Sequence, residues 1–358
     1  MPRLDLRSSA VDLTRTICDI PSVSDDETVL ADAIFEAVSA LPHLEVYRDG
    51  DTIVARTSLG RAQRVAIAGH IDTVPINDNV PTRDIDVDGA AYLWGRGTVD
   101  MKAGVAVQLK LAAELTDPRV DITWMWYDHE EVAAELNGLT RLAASRPDLF
   151  EADFAILGEP SNGQVEGGCN GNLRAVVRTS GVRAHSARAW IGENAIHKAA
   201  PILARLAEYR PREVEVDGLV YREGLNAVRI SGGIAGNVIP DACEVEVNYR
   251  FAPSKDAAAA EAHVRDVLAG FEVEVVDLSE GARPGLDAPL AQEFVAAVGA
   301  EPKPKYGWTD VARFSAMGVP AVNYGPGDPH LAHHDEERVL LAQIEDVERG
   351  LRSWLSGD

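Results

Sequence analysis

Three short apolar runs, Arg64–Ala68 (RVAIA), Ile122–Tyr127 (ITWMWY) and Phe154–Leu157 (FAIL), are separated by segments with helical periodicity. Runs of this length, apolar without alternation, suit strands buried on both faces, and strands alternating with helices predict a mostly parallel α/β sheet. Helices are predicted over Asp25–Ala40, where Val29, Ile34, Phe35 and Val38 recur at helical spacing, and over Met101–Leu115 and Gly138–Ala144.

After about residue 177 the pattern changes. Gly181–Ser186 leads into a helix over Asn194–Tyr209, followed by Val228–Gly232 and by Ala242–Phe251 (ACEVEVNYRF), whose period-two alternation suits an antiparallel sheet covered on one face. The α/β pattern returns near Gly285–Leu290, with a helix at Ala291–Val298, a strand at Ala321–Tyr324 and a terminal helix from Leu341. The expectation is a discontinuous large domain, residues 1–177 and 286–358, with a smaller α+β domain at 178–285 inserted into it.

The balance of charge narrows the partners. A formal net charge of −23 leaves no basic surface for nucleic acid or an anionic membrane, and no apolar stretch approaches the ~20 residues of a membrane helix. Three scattered cysteines, Cys18, Cys169 and Cys243, read as free thiols in a reducing cytoplasm. Small molecules and metal cations are the expected partners.

In open parallel sheets, functional groups gather beyond the carboxyl ends of the strands. There the chain carries Gly69–Asp72 (GHID), Asp128–Glu131 (DHEE) and Gly158–Pro160 (GEP), with Asp100 before a predicted helix and His333–His334 near the end of the chain. His70 and Asp72 flank one residue, so one can bind a cation while the other orients it. Asp100 is placed either to cap its helix or, using both oxygens, to bridge two cations. Glu130 and Glu131 are adjacent carboxylates that repel unless a cation or proton intervenes, which suggests one ligand and one base. Glu159 adds an acid on a rigid turn and His333 or His334 an imidazole. Oxygen and imidazole donors without thiolate suit zinc or another divalent first-row ion with room left for a water.

These residues resemble the di-zinc aminoacylase and carboxypeptidase family over nearly the whole chain, from Gly69–Pro75 (GHIDTVP) through Gly95–Gly104, Glu130–Glu131 and Leu157–Pro160 to Ala332–Val339 (AHHDEERV). The resemblance implies a zinc-peptidase-like catalytic domain and a ferredoxin-like lid and dimerisation domain. It implies two zinc ions, replaceable by cobalt: His70 and Glu159 on one, Glu131 and His333 on the other, Asp100 bridging. Asp72 would orient His70, and Glu130 would be the general base. His333 is preferred to His334 by its distance from Glu337-Arg338-Val339. His185, in Ala184–Arg188 (AHSAR), takes the place of a lid histidine that reaches the partner subunit's site in a homodimer and stabilises an oxyanion. Asn237, Arg250 and Gly325 match substrate-contacting positions.

Within the family, Gly167–Arg188, Tyr221–Asn226 and Gly307–Phe314 are most similar to an actinobacterial desuccinylase branch, which implies an N-succinylated diamino acid as substrate. Where other members carry paired arginines, this chain has Cys169-Asn170, and Arg174 is the candidate replacement. The rivals are another amide hydrolase of the same mould, such as a deacetylase or dipeptidase, and a catalytically silent metal-binding dimer. Glu130 argues against the second, since turnover needs a base that binding does not.

Overall fold

The computed structural model describes residues 2–357 and divides into two compact units. The first takes the chain up to Gly167, with Pro284–Lys303 and Thr309 onward; the second is Gly168–Arg283 with Pro304–Trp308. The expected boundary at 177 falls inside a continuous strand, Gly171–Ser180, which belongs wholly to the second unit.

The first unit is built on a mixed sheet whose centre is parallel. Arg64–His70 lies between Asp121–Tyr127 and Phe154–Leu157, and Ala321–Asn323 follows, these four parallel to one another, while Thr52–Arg56 and Glu45–Asp49 on one side and Glu166–Gly167 on the other add antiparallel flanks. Asp121–Tyr127 is buried at all seven positions, as expected of a strand covered on both faces. The Lys102–Glu114 helix is likewise buried nearly all round, which explains its apolar composition without a clean stripe. Behind the sheet, Phe154, Phe294 and Trp354 meet ring to ring with centroids 5.0–6.0 Å apart.

The second unit is a four-stranded antiparallel sheet ordered Gly224–Gly232, Ala242–Phe251, Gly171–Ser180, Val273–Ser279, with helices Ala195–Glu208 and Ala257–Val267. Its chain order, strand-helix-strand-strand-helix-strand, is the ferredoxin-like arrangement. Leu173, Ala175 and Val177 pack with Val245, Val247 and Tyr249 on one face. The other face is polar.

Two hairpins outside the predicted elements were readable from their turns. Asp88-Gly89 joins Arg83–Val87 to Ala90–Trp94, and Asp217-Gly218 joins Glu213–Val216 to Leu219–Arg222. All four turn residues have φ between 49° and 85°, the left-handed pair that two-residue hairpin turns require. Among the described residues, no helix is long and apolar enough to cross a membrane.

Candidate metal centre

The carboxyl ends of the parallel strands deliver the donors. His70 ends its strand, Glu130 and Glu131 follow Tyr127 after a left-handed turn at His129 (φ 59°), and Glu159 follows Leu157 by two residues. Asp100 precedes the Lys102–Glu114 helix but does not cap it, since the cap position is Met101 and makes no side-chain bond. Its carboxylate faces two histidines instead. Oδ1 lies 3.0 Å from His70 Nε2 and Oδ2 lies 3.2 Å from His333 Nε2. His333 Nε2 also lies 3.0 Å from Glu131 Oε1, and single donor atoms of His70, Asp100 and Glu131 fall within 4.8 Å of one another.

These separations test whether metal fits. Zinc bonds of about 2.0–2.1 Å in a tetrahedral shell put neighbouring donors about 3.3 Å apart. The His70–Asp100, Asp100–His333 and His333–Glu131 pairs, at 3.0–3.2 Å, stand close to that spacing, and Asp100 is common to the two histidines. The chemistry is also consistent: one carboxylate with an imidazole on each oxygen, and no thiolate in the group.

Asp72 organises the site from behind. It is buried, and its carboxylate accepts the amides of Glu130 (3.0 Å) and Glu131 (3.1 Å) and the hydroxyl of Ser24 (2.7 Å). Its backbone carbonyl accepts His70 Nδ1 at 3.0 Å. That bond fixes the proton on Nδ1 and leaves Nε2 as the ligating nitrogen. The spacing of His70 and Asp72 announces their contact, whereas no spacing rule announces the two amides.

Without a divalent ion, protons balance the acids. Burial pulls the His70 ring down, yet its bonds to Asp100 and Asp72 outweigh this and hold its pKa well above the usual value. Bonds to Asp100 and Glu131 raise His333 to about 10. Burial raises Asp100, but the two histidines prevail and hold it below the carboxylate range. Glu130 is the exception: burial, with Asp310, Glu159 and Glu131 nearby, keeps it well above the carboxylate range against the pull of His70.

Glu159 is buried beside Glu130 and Tyr127, on both of which its charge acts. Of the two adjacent histidines, His334 uses Nδ1 to accept the amide of Glu336 (3.1 Å), and His333 faces the acids. Gly325 is buried, and a side chain there would meet Gly158 O at 2.2 Å and Glu159 O at 2.6 Å. That close backbone packing under Glu159 is what requires glycine at this position.

The remaining candidates belong to the second unit. Ala184–His185 pairs with Val238–Ile239, and Ser186 N donates to Asn237 O at 2.9 Å, so His185 and Asn237 are neighbours. His185 Nδ1 accepts the Ala187 amide at 3.0 Å, which leaves Nε2 as the N–H of the neutral, exposed ring. On the polar sheet face, Arg250 pairs in register with Asn172, which bonds Asp277 (3.0 Å) and Asn248 (2.7 Å). Arg174 on that face is held by Asp277 (3.3 Å) and Glu246 (3.5 Å), so its charge is already balanced by the sheet.

The family model for peptidase family M20/M25/M40 matches residues 66–356. The chain is 47% identical to the succinyl-diaminopimelate desuccinylase of Corynebacterium glutamicum, covering 99% of this chain and 98% of that one. It is 50% identical to a Mycobacterium tuberculosis protein provisionally named succinyl-diaminopimelate desuccinylase DapE, over 99% of this chain and all of that one. Its fold is similar to that of a Staphylococcus aureus tripeptidase (TM-score 0.78, 21% identity, 97% of each chain). It is also similar to the YXEP protein of Bacillus subtilis, a dinuclear metal-binding peptidase (TM-score 0.70, 16% identity, 98% of each chain).

Proposed function

We infer the function from one premise, that this chain belongs to peptidase family M20/M25/M40. The reading is a two-zinc amide hydrolase that cleaves N-succinyl-LL-2,6-diaminopimelate to succinate and LL-2,6-diaminopimelate, with cobalt able to replace zinc. The observation that carries the two-ion part is Asp100, whose oxygens face His70 and His333 separately. The names of the close relatives support the substrate.

In this reading His70 and Glu159 would hold one ion, Glu131 and His333 the other, and Asp100 would serve both. When bound, such ions polarise an amide carbonyl and acidify a water. Glu130 takes the water's proton on its carboxylate and delivers it to the leaving nitrogen, so the C–N bond breaks to give acid and amine. Asp72 keeps the Glu130–Glu131 turn and His70 in place meanwhile. His185 Nε2–H donates to the oxyanion of the tetrahedral intermediate. Arg250 and Asn237 bind the substrate's carboxylate and amide groups, a guanidinium suiting the first because it donates two parallel hydrogen bonds. Arg174 can serve a second carboxylate only by releasing Asp277.

We place His185 in the partner subunit's site of a homodimer. The exposed Trp190 (79%) and Ile191 (61%) just after it support a covering surface, as does the exposed edge strand Gly224–Gly232, whose Val228 and Ile230 face solvent.

The test offers N-succinyl-LL-2,6-diaminopimelate, N-acetylornithine and a dipeptide to the zinc-loaded protein, with a chelator control. Chelator-sensitive release of succinate alone is the expected result. Preference for another amide discards the substrate and keeps the mechanism, whereas chelator-insensitive hydrolysis discards the mechanism.

A further inference from the structure

The Asp100 loop and the His333 loop are more than 230 residues apart in sequence, and a single buried carboxylate joins them. Glu337 Oε1 accepts the amides of Val99 (2.8 Å) and Asp100 (3.1 Å). Its Oε2 accepts Arg96 Nη1 at 2.9 Å, and the same nitrogen reaches the carbonyl of His334 at 3.4 Å. Glu337 is fully buried and Arg96 is 4% exposed. The backbone continues the seam: Gly95 N donates to Glu337 O at 3.0 Å, and Ala90–Trp94 pairs with Arg338–Leu340, Trp94 opposite Arg338. Both Glu337 oxygens are engaged by protein donors, so it is no ligand.

We propose that Glu337 is a positioning residue that sets the Asp100 carboxylate in register with His333, so that the second of its oxygens is available to a second ion. The inference rests on the two-ion reading of the site. Two neighbouring amides and a guanidinium converge on this one side chain, and the bonds they form fix the backbone that leads into Asp100 while Arg96 ties the His333 loop to it. A loop held by water in place of Glu337 would still carry Asp100, but its two oxygens would no longer be aimed at separate imidazoles. Interactions of this kind behind a metal ligand change affinity by about 10–100-fold.

The test titrates the metal-free protein with Co(II), following the visible absorption of the bound ion and, separately, thermal unfolding of the metal-free chain. E337Q keeps an oxygen for the amides but turns an NH₂ toward Arg96; E337L/R96M removes both partners and leaves no buried unpaired charge. The expected result is a parent chain that binds two ions and variants that bind the first at near-parent affinity while the second weakens about tenfold or more, with a changed visible spectrum. Should the double variant not fold, E337Q carries the test. Two ions bound as tightly as in the parent, whatever happens to unfolding, overturns the inference alone. A parent chain that takes up one ion overturns the two-ion reading and this inference with it.

Discussion

The donors of the first unit and the candidate residues of the second are held in opposite ways. His70, Asp72 and Asp100 lie in a buried web in which nearly every polar atom has a protein partner, and Asp72 alone receives two amides and a hydroxyl. His185 and Asn237 sit on an exposed corner, fixed by a two-residue ladder and one turn bond. The difference teaches that the first set is preorganised to carry charge before any ligand arrives, whereas the second, in the function proposed above, becomes a site only when another surface covers it.

The largest effect is expected for Glu130→Gln, which removes a proton acceptor and leaves the donors intact. The turnover number should fall by about 10³, within the range for general base removal, while metal content by elemental analysis stays at the parent level. A variant that keeps its activity breaks the assignment of Glu130. Next is His185→Ala, for which the loss of one oxyanion donor predicts a fall of about 10²–10³ in turnover, with the Co(II) spectrum unchanged because no donor is touched. A spectral change there would mean that His185 belongs with the buried set, which erases the contrast.

Gly104→Ala sharpens the contrast from the packing side. A methyl there would meet the backbone oxygen Gly158 O at 2.2 Å, next to Glu159. Destabilisation of roughly 3 kcal/mol is expected from overpacking that no side chain can relieve, measured by urea unfolding of the metal-free chain. Gly236→Ala, on the exposed loop of the second unit, meets nothing within 4 Å and should be close to neutral.

The smallest effect is a pH slope. His333 titrates near 10 in the folded metal-free chain and His70 is also raised, above an unfolded value of about 6.5. Protonation of a group raised by folding adds stability that is complete below the unfolded value and disappears as pH rises through the folded one. The melting temperature of the metal-free protein should therefore fall between about pH 6.5 and 10, and metal loading should abolish this contribution, because ligation replaces those protons. An unchanged slope on loading would mean the ions bind elsewhere.

Much of this was legible in advance because parallel strands advertise themselves. Ile122–Tyr127 and Phe154–Leu157 are continuous apolar runs, and the acids that follow them are where such a sheet presents its chemistry. The period-two alternation of Ala242–Phe251 likewise gave the two faces of the small sheet, down to the polar side that carries Arg250. What could not be read was tertiary. Nothing local marks Asp72 as the acceptor of the Glu130 and Glu131 amides, and nothing local marks Glu337, a spacing marker for His333, as the acceptor of the Asp100 loop. Arg174 carries the right charge for a substrate carboxylate, and only the register shows that it stands between Asp277 and Glu246. A long side chain on a sheet face meets whatever the register puts opposite, and register is a property of the fold.

The central claim is that Asp100 bridges two ions in the first unit, and the most direct measurement is anomalous X-ray diffraction at the zinc edge from crystals of the zinc-loaded protein. The account predicts two peaks about 3.5–4 Å apart, one beside His70 and Glu159, the other beside Glu131 and His333, with Asp100 between them. A single peak, or two that leave Asp100 without a metal contact, would contradict it.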